Sequence, residues 1–216
     1  MKVRRGIIAA VFVLASAATG LLGQEEAPPP EGSGEASAWS FSAAAYVYFL
    51  PDEDSLTVPI VTADRDRLHL EGRYNYEARD AGSLFLGWTF HFGDQVSVDM
   101  TPILGGVFGD LSGIAPGLEM DLNWERLNFY FEGEYVRDLD DVEGSYFYGW
   151  SELSYAPVEW FRAGLVGQRT RLYETDVDVQ RGLLLGFSYR WLGVSGYLFN
   201  PGGDDAFEVV SLSVEF

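Results

Sequence analysis

The chain has 216 residues, of which 33 are Asp or Glu and 14 are Lys or Arg, and its formal net charge at pH 7 is −19. This acidic balance argues against a nucleic-acid partner, because no basic surface exists to displace counterions from phosphates. The absence of Cys excludes disulfides and Cys-ligated zinc or iron–sulfur centres. Aromatic residues make up 15% of the chain, which favours β structure.

Residues 1–23 have the pattern of a cleaved export signal. Three basic residues begin it: Lys2, Arg4 and Arg5. The apolar run Gly6–Ala18 follows, and it is too short to span a bilayer comfortably as a helix. Small residues then allow cleavage at three places: after Ala17, Gly20 or Gly23. The alternative is an N-terminal anchor helix that is retained.

Residues 24–38 read QEEAPPPEGSGEASA and combine prolines, glutamates and small residues. Such a composition cannot bury enough apolar surface to fold, so it predicts a flexible acidic leader. Residues 39–216 are the predicted folded domain.

From Trp39 onward, apolar and polar side chains alternate with the period of two that is typical of strands. No run with the helical period is found there. We predict twelve strands, at residues 39–50, 55–63, 67–78, 83–92, 96–108, 114–124, 127–136, 145–155, 160–170, 179–191, 194–200 and 206–216.

The predicted connections alternate in length along the chain. Tight turns fall at residues 64–66, 93–95, 125–126, 156–159 and 192–193, and mostly longer loops at 51–54, 79–82, 109–113, 137–144, 171–178 and 201–205. This alternation predicts an all-β fold, a single antiparallel transmembrane β-barrel with short periplasmic turns and longer acidic extracellular loops. A soluble periplasmic β protein is the alternative.

Aromatic residues cluster near the predicted short turns. They are Trp39, Phe90, Phe92, Trp124, Phe129, Tyr155, Phe161, Tyr189, Trp191 and Phe216. These positions match an aromatic girdle at a membrane interface. The opposite face carries acids and Arg in mid-strand, as the lumen of a membrane barrel does.

The last strand, Val210-Ser-Leu-Ser-Val-Glu-Phe216, ends in an aromatic residue. It resembles the C-terminal strand of Gram-negative outer-membrane β-barrel proteins, which ends in Phe and is read by the barrel-assembly machinery. The resemblance implies export through a cleaved signal peptide to the outer membrane of a Gram-negative bacterium. It also implies that outer-membrane lipids and lipopolysaccharide are partners. The motif covers only about seven residues, and it names no family within the class.

Strand parity predicts which side chains line the lumen. They are His69, Glu71, Arg73, Glu77, His91, Asp99, Glu119, Asp121, Glu132, Glu134, Trp150, Glu152, Arg162 and Arg190. Of these, Glu152, Arg162 and Arg190 are expected to share one layer near the short turns. A structural network that fixes strand register is one interpretation of this set, and a solute path is the other. Inward aromatics narrow the space further: Tyr46, Tyr48, Tyr130, Tyr148, Trp150 and Tyr197.

Parity also makes His69, Glu71 and His91 neighbours, with Asp99 one strand away. Two imidazoles with carboxylates have the chemistry to bind a divalent metal or to act as a general base. Packing of these groups in the lumen is the more common arrangement. We therefore predict no catalytic residue, no metal site and no cofactor.

The predicted function is a narrow passive channel for small cationic or neutral solutes. Some twelve-stranded barrels carry acidic oligosaccharides through Arg-lined lumens, and the excess of acids here disfavours that substrate by repulsion. A plugged barrel with a structural or surface-interaction role is the alternative, and a membrane-embedded lipid hydrolase is a weaker one. The acidic loops, such as Asp138–Glu143, are candidates for weak divalent-cation binding shared with lipopolysaccharide phosphates.

Overall fold

The computed structural model describes residues 38–51, 54–169 and 179–216. The predicted signal peptide and nearly all of the predicted leader lie outside the described residues. So does the whole predicted loop at 171–178, together with positions 52, 53 and 170.

The described chain is almost entirely extended. Its strands are β1 (Ser40–Phe49), β2 (Leu56–Arg65), β3 (Leu68–Tyr74), β4 (Ala81–Trp88), β5 (Phe90–Phe92), β6 (Val96–Gly109), β7 (Gly113–Trp124), β8 (Leu127–Asp138), β9 (Tyr146–Val158), β10 (Phe161–Arg169), β11 (Val179–Tyr189), β12 (Leu192–Phe199) and β13 (Phe207–Glu215). One 3-10 turn at Val142–Gly144 interrupts the loop between β8 and β9. Within the described ranges, no helix is long and apolar enough to cross a bilayer.

The strands pair with their neighbours along the chain and close into a barrel. Both β4 and β5 pair with β6, and they are separated only by Thr89, so together they form one barrel strand. β13 returns to pair with β1, and the backbone groups of Phe41 and Phe216 exchange two hydrogen bonds of 2.9 Å. The predicted twelve-stranded antiparallel barrel is therefore confirmed, and its closure leaves no free sheet edge.

The third predicted strand ends earlier than expected, at Tyr74 instead of residue 78. Asn75 adopts a φ of +57°, in the left-handed region that Asn tolerates better than most residues. Its side chain accepts a hydrogen bond of 2.8 Å from the Asp80 amide and donates one of 3.0 Å to the Thr57 carbonyl. The chain therefore turns, and Tyr76, which alternation places on the outer face, points into the barrel.

The tight turn between β11 and β12 is also displaced. It consists of Arg190 and Trp191, two residues before the predicted turn at 192–193. Arg190 has a φ of +55°. The first residues of two other tight turns have similar values: Asp66 of the β2–β3 turn at +55° and Glu125 of the β7–β8 turn at +53°. A positive φ at this position matches the twist of a two-residue hairpin to the flanking strands.

The outer surface carries an aliphatic band between two aromatic rings. We call the end with the tight turns the short-turn end and the other the long-loop end. The band consists of exposed mid-strand side chains such as Leu84, Leu86, Leu104, Leu165, Leu183 and Leu185. This arrangement is that of a lipid-facing surface.

The ring at the short-turn end contains all ten predicted aromatics. Phe129 and Phe161 are half-buried and the others are exposed. Trp160, an exposed turn residue that parity did not select, lies against Phe187 with a centroid distance of 6.4 Å. The ring at the long-loop end was not predicted. It consists of exposed aromatics close to strand ends: Phe49, Tyr74, Phe108, Tyr135 and Phe147.

The band predicts how two arginine substitutions on β11 differ. Leu185 is 51% exposed in mid-strand, whereas Ser188 lies on the inner face at the short-turn mouth. Leu185→Arg should cost roughly 2–4 kcal/mol of folding free energy if it lies at the bilayer midplane, and Ser188→Arg should be tolerated better. The folded fraction in liposomes, followed by heat-modifiable gel mobility, checks this. Equal losses for the two variants would contradict the assignment of the faces.

Candidate functional site

The long-loop half of the barrel interior is filled by apolar side chains. This apolar layer consists of Tyr48, Leu56, Val58, Ala81, Val107, Ala115, Val136, Tyr146, Phe199, Phe207 and Val209, all buried. Phe199 and Phe207 stack with centroids 4.8 Å apart. In a water-filled lumen, inward side chains would be accessible to pore water, so their burial shows that this half is packed over the described residues.

Residues 75–80, between β3 and β4, place the buried side chains of Tyr76 and Glu77 inside the barrel, and we call this segment the infolded loop. The Tyr76 hydroxyl donates a hydrogen bond of 2.8 Å to Glu132, on the other side of the interior. The backbone carbonyl of Glu77 accepts a hydrogen bond from the Tyr146 hydroxyl. The Glu77 carboxylate accepts a second one, of 2.7 Å, from the Ser83 hydroxyl. The infolded loop thus covers the interior from the long-loop end.

Beneath the infolded loop lies a fully buried arginine, Arg73 of β3, surrounded by five glutamates. Its guanidinium nitrogens lie 2.7 Å from Glu71, 3.8 Å from Glu77, 3.4 Å from Glu119, 2.7 Å from Glu132 and 3.2 Å from Glu134. We call these six residues the Arg73 cluster. It ties β3 and the infolded loop to β7 and β8 across the interior.

Two aromatic rings lie against the Arg73 guanidinium. Its central carbon lies 4.4 Å from the ring centroid of Tyr76 and 4.3 Å from that of Phe85. Both separations are within the range of cation–π attraction. Gly105 on the neighbouring strand leaves the space for Phe85, because a Cβ there would overlap the Phe85 ring.

The Arg73 cluster contains more negative than positive groups. One guanidinium faces five carboxyl groups, and full ionisation of all five would leave a net charge of −4 in a buried site. An uncompensated buried charge costs several kcal/mol, so the carboxyl groups must share protons or recruit a cation. Three buried carboxylate oxygens of the cluster have no hydrogen-bond partner among the described residues: Oε2 of Glu77, Oε1 of Glu132 and Oε1 of Glu134. Of these, only the Glu132 oxygen has the Arg73 guanidinium as an ion-pair partner, at 2.7 Å.

His69 lies next to the Arg73 cluster, on the side of the short turns. Its Nδ1 is 2.7 Å from the Asp64 carboxylate. Its Nε2 faces two members of the cluster, Glu71 at 3.3 Å and Glu119 at 3.7 Å. Sequence parity identified His69, Glu71 and Glu119 but missed Asp64, which was placed in a turn and instead lies on β2 facing inward.

A second polar cluster lies on the opposite wall. Glu152 accepts hydrogen bonds from Arg162 at 2.7 Å, from the Trp150 indole at 3.0 Å and from the Tyr197 hydroxyl at 2.9 Å. Arg162 also donates to Ser195 at 3.2 Å. This carboxylate is therefore satisfied by neighbours on β9, β10 and β12.

Two cavities of the interior border these polar clusters. One of about 340 Å³ borders His69, Glu71, Glu119 and the Glu152–Arg162 pair. The other, of about 310 Å³, lies at the short-turn end. Arg162 lines both, so it stands between the inner cavity and the mouth.

The structure separates some residues that the sequence analysis grouped. His91 pairs with Asp99 at 2.7 Å, and both side chains are about half exposed at the short-turn mouth. They do not join His69, because β5 continues towards the mouth beyond the break at Thr89. Arg190 does not share a layer with Glu152 and Arg162, as predicted, because it lies in the exposed turn after β11.

The last of the predicted lumen residues also lie inside the barrel. Asp121, near the mouth, accepts hydrogen bonds from Asn123 and Asn128. Trp150 is buried against Tyr197 and Phe199, with ring centroids 5.3 and 5.6 Å away. Glu77 points inward as predicted, although it comes from the infolded loop and not from a strand.

A closed antiparallel barrel with a lipid-facing band, aromatic rings and a polar interior has the architecture of the outer-membrane β-barrel class. Among solved structures, the KdgM porin matches with a TM-score of 0.55 at 8% identity, over 82% of this chain and 98% of that one. The KdgM porin in complex with disordered oligogalacturonate matches with a TM-score of 0.56 at 10% identity, over 82% and 99%. No protein-family model and no curated protein sequence matches the chain. At these identities the likeness is one of fold, and function depends on the site.

The charge balance of the Arg73 cluster predicts a large effect of removing its only arginine. Arg73→Gln should lower the free energy of unfolding by about 3–5 kcal/mol, because the buried carboxyl groups lose their charge partner. The exposed turn substitution Arg190→Gln is the control and should change stability by less than about 0.5 kcal/mol. Urea unfolding of both variants in lipid vesicles measures the difference. Similar stabilities would show that the cluster is not electrostatically stabilised by Arg73.

Proposed function

We propose that the protein is an outer-membrane barrel that gives small cations a narrow passive route. The observation that carries the proposal is the acidic interior, where one arginine faces five glutamates beside a cavity of about 340 Å³. Confined negative charge concentrates cations, because low-dielectric walls focus the field in the lumen. The barrel architecture and the porin-like fold support residence in the outer membrane with the short turns in the periplasm.

The sign of the interior charge separates this proposal from anion transport. The oligogalacturonate in the KdgM porin complex is a polyanion. A polyanion entering this barrel would meet Glu71, Glu119 and Glu132 around the inner cavity. Shared fold therefore does not extend to shared substrate, because like charges in a confined space repel strongly.

The apolar layer favours a second candidate function, that of a plugged barrel without transport. Its buried side chains fill the long-loop half across nine strands. Under the channel proposal this layer forms the constriction that limits conductance, together with the infolded loop and Tyr148, which packs against Tyr76 of that loop. Under the plugged-barrel alternative it is a permanent seal that supports a structural or surface role.

Conductance in planar bilayers distinguishes the two functions. The purified barrel should show small single-channel currents, and a salt gradient should give a reversal potential of cation-selective sign. The selectivity should fade at high salt, because the Debye length falls from about 10 Å at 0.1 M to about 3 Å at 1 M. Anion selectivity would reject the proposal. No measurable current through either the native barrel or the Tyr148→Ala variant would establish the plugged barrel.

Replacing one aromatic of the interior should widen the constriction. Tyr148 is buried and lies 4.9 Å from Tyr76 of the infolded loop, whereas Tyr135 is exposed on the lipid side. Tyr148→Ala should increase the single-channel conductance, and the matched control Tyr135→Ala should leave it unchanged. Single-channel recordings of the two variants under identical salt make the comparison. An equal effect of both would show that the interior ring is not the constriction.

The source of selectivity can be located by neutralising acids in pairs. Glu132→Gln with Glu134→Gln removes two carboxylates from the Arg73 cluster, and Asp204→Asn with Asp205→Asn removes two from the exposed β12–β13 loop. The first pair should reduce the reversal potential more, because the field is focused in the confined lumen. The second pair is the control for a change of two charges. A larger effect of the loop pair would place the selectivity at the outer mouth instead.

A further inference from the structure

We propose that His69, Glu71 and Glu119 bind one first-row divalent metal ion, with Asp64 holding the imidazole in position. This site goes beyond the channel proposal and does not depend on conduction. It would make the barrel a metal-binding protein whose site is reached from the short-turn end.

The three side chains present one ligand atom each to a common point. Nε2 of His69 lies 3.3 Å from Oε2 of Glu71 and 3.7 Å from Oε2 of Glu119, and the three atoms all lie within 4.8 Å of one another. Metal bonds of about 2.0–2.2 Å to nitrogen and oxygen place neighbouring ligand atoms roughly 3.0–3.5 Å apart. The present separations thus require only small movements to close on an ion.

Asp64 fixes which nitrogen of His69 faces the site. It accepts a hydrogen bond from Nδ1 at 2.7 Å, which leaves Nε2 directed at the two carboxylates. A metal-binding histidine typically donates its other ring nitrogen to a carboxylate in this way, which sets the ring orientation and increases its basicity. In the neutral ring a lone pair on Nε2 would face two anionic oxygens, so a cation or a proton between them is needed.

The surrounding charge favours an added cation. Glu71 and Glu119 already share Arg73, whose guanidinium is also in contact with Glu77, Glu132 and Glu134. Together with Asp64, which contacts His69, this region contains six carboxyl groups and one arginine. The unpartnered, fully buried oxygens of Glu77 and Glu134 show independently that the protein itself supplies too few positive groups here.

Access and ligand type indicate which ion would bind. His69, Glu71 and Glu119 all line the inner cavity, which adjoins the cavity at the short-turn mouth, and Arg162 lines both. Imidazole together with carboxylates suits zinc, cobalt, nickel or copper, whereas magnesium and calcium prefer oxygen ligands alone. The open side towards the cavity leaves room for water to complete the coordination.

Titration of the folded full-length barrel in detergent with zinc chloride tests the proposal by calorimetry. One ion should bind per barrel, with micromolar or tighter affinity. His69→Gln and Glu119→Gln should abolish binding. Asp64→Asn should weaken it roughly 10–100-fold as a positioning residue, because the ring keeps its ligand atom but loses its orientation.

His91→Gln is the matched control. It removes the His91–Asp99 pair, in which the imidazole lies 2.7 Å from the carboxylate, as in the His69–Asp64 pair. The His91–Asp99 pair differs in being exposed at the mouth. This variant should bind zinc like the native barrel. Heat-modifiable gel mobility verifies that every variant is folded.

Cobalt(II) absorbance provides a readout that a purely structural role of these residues would not change. The native barrel should give visible bands of a protein-bound ion, and Asp64→Asn should shift them. Binding that is absent up to millimolar zinc would overturn the proposal and show that a proton bridges Nε2 and the carboxylates. Unchanged affinity in His69→Gln, or an equal loss in His91→Gln, would overturn it as well.

Discussion

The interior is organised by the burial of a single guanidinium among carboxyl groups. Arg73 cannot be buried without counter-charges, since an unpaired buried ion costs several kcal/mol. Its partners come from β3, the infolded loop, β7 and β8, so their convergence fixes how these segments meet across the lumen. A slip of one residue in any of these strands would turn the glutamates towards lipid. The pattern of charges therefore disfavours a shifted register of these strands.

The strands, their antiparallel order and the closing β1–β13 pair follow from alternation, because a side-chain period of two is a local property of the sequence. The infolded loop does not follow from it. In the turn, the Asn75 side chain bonds to the Thr57 carbonyl and the Asp80 amide, and Thr57 belongs to another strand. Tyr76 consequently moves from the expected lipid face to the lumen, where it contacts Glu132.

The candidate site was only partly predictable, because alternation along a strand shows which face a side chain lies on but not what it contacts. Parity correctly places Glu71, Arg73 and Glu119 on one face, but it carries no information about which of them touch. Contacts across the lumen depend on the stagger of distant strands, which brings His69 to Glu119 and leaves His91 with Asp99. Asp64 was missed because the chain around it, Asp64-Arg65-Asp66, has the composition of a turn, whereas β2 extends to Arg65.

The filled long-loop half has a consequence for the chemical surroundings of the interior. The apolar layer and the infolded loop fill that side over the described residues, whereas the inner cavity adjoins the cavity at the short-turn mouth. If the short turns face the periplasm, as we propose, the buried carboxyl groups exchange water and ions more readily with the periplasm than with the growth medium, because the apolar layer lies between them and the outer mouth. A chelator or buffer that cannot cross the outer membrane would reach them in intact cells only after another protein had admitted it.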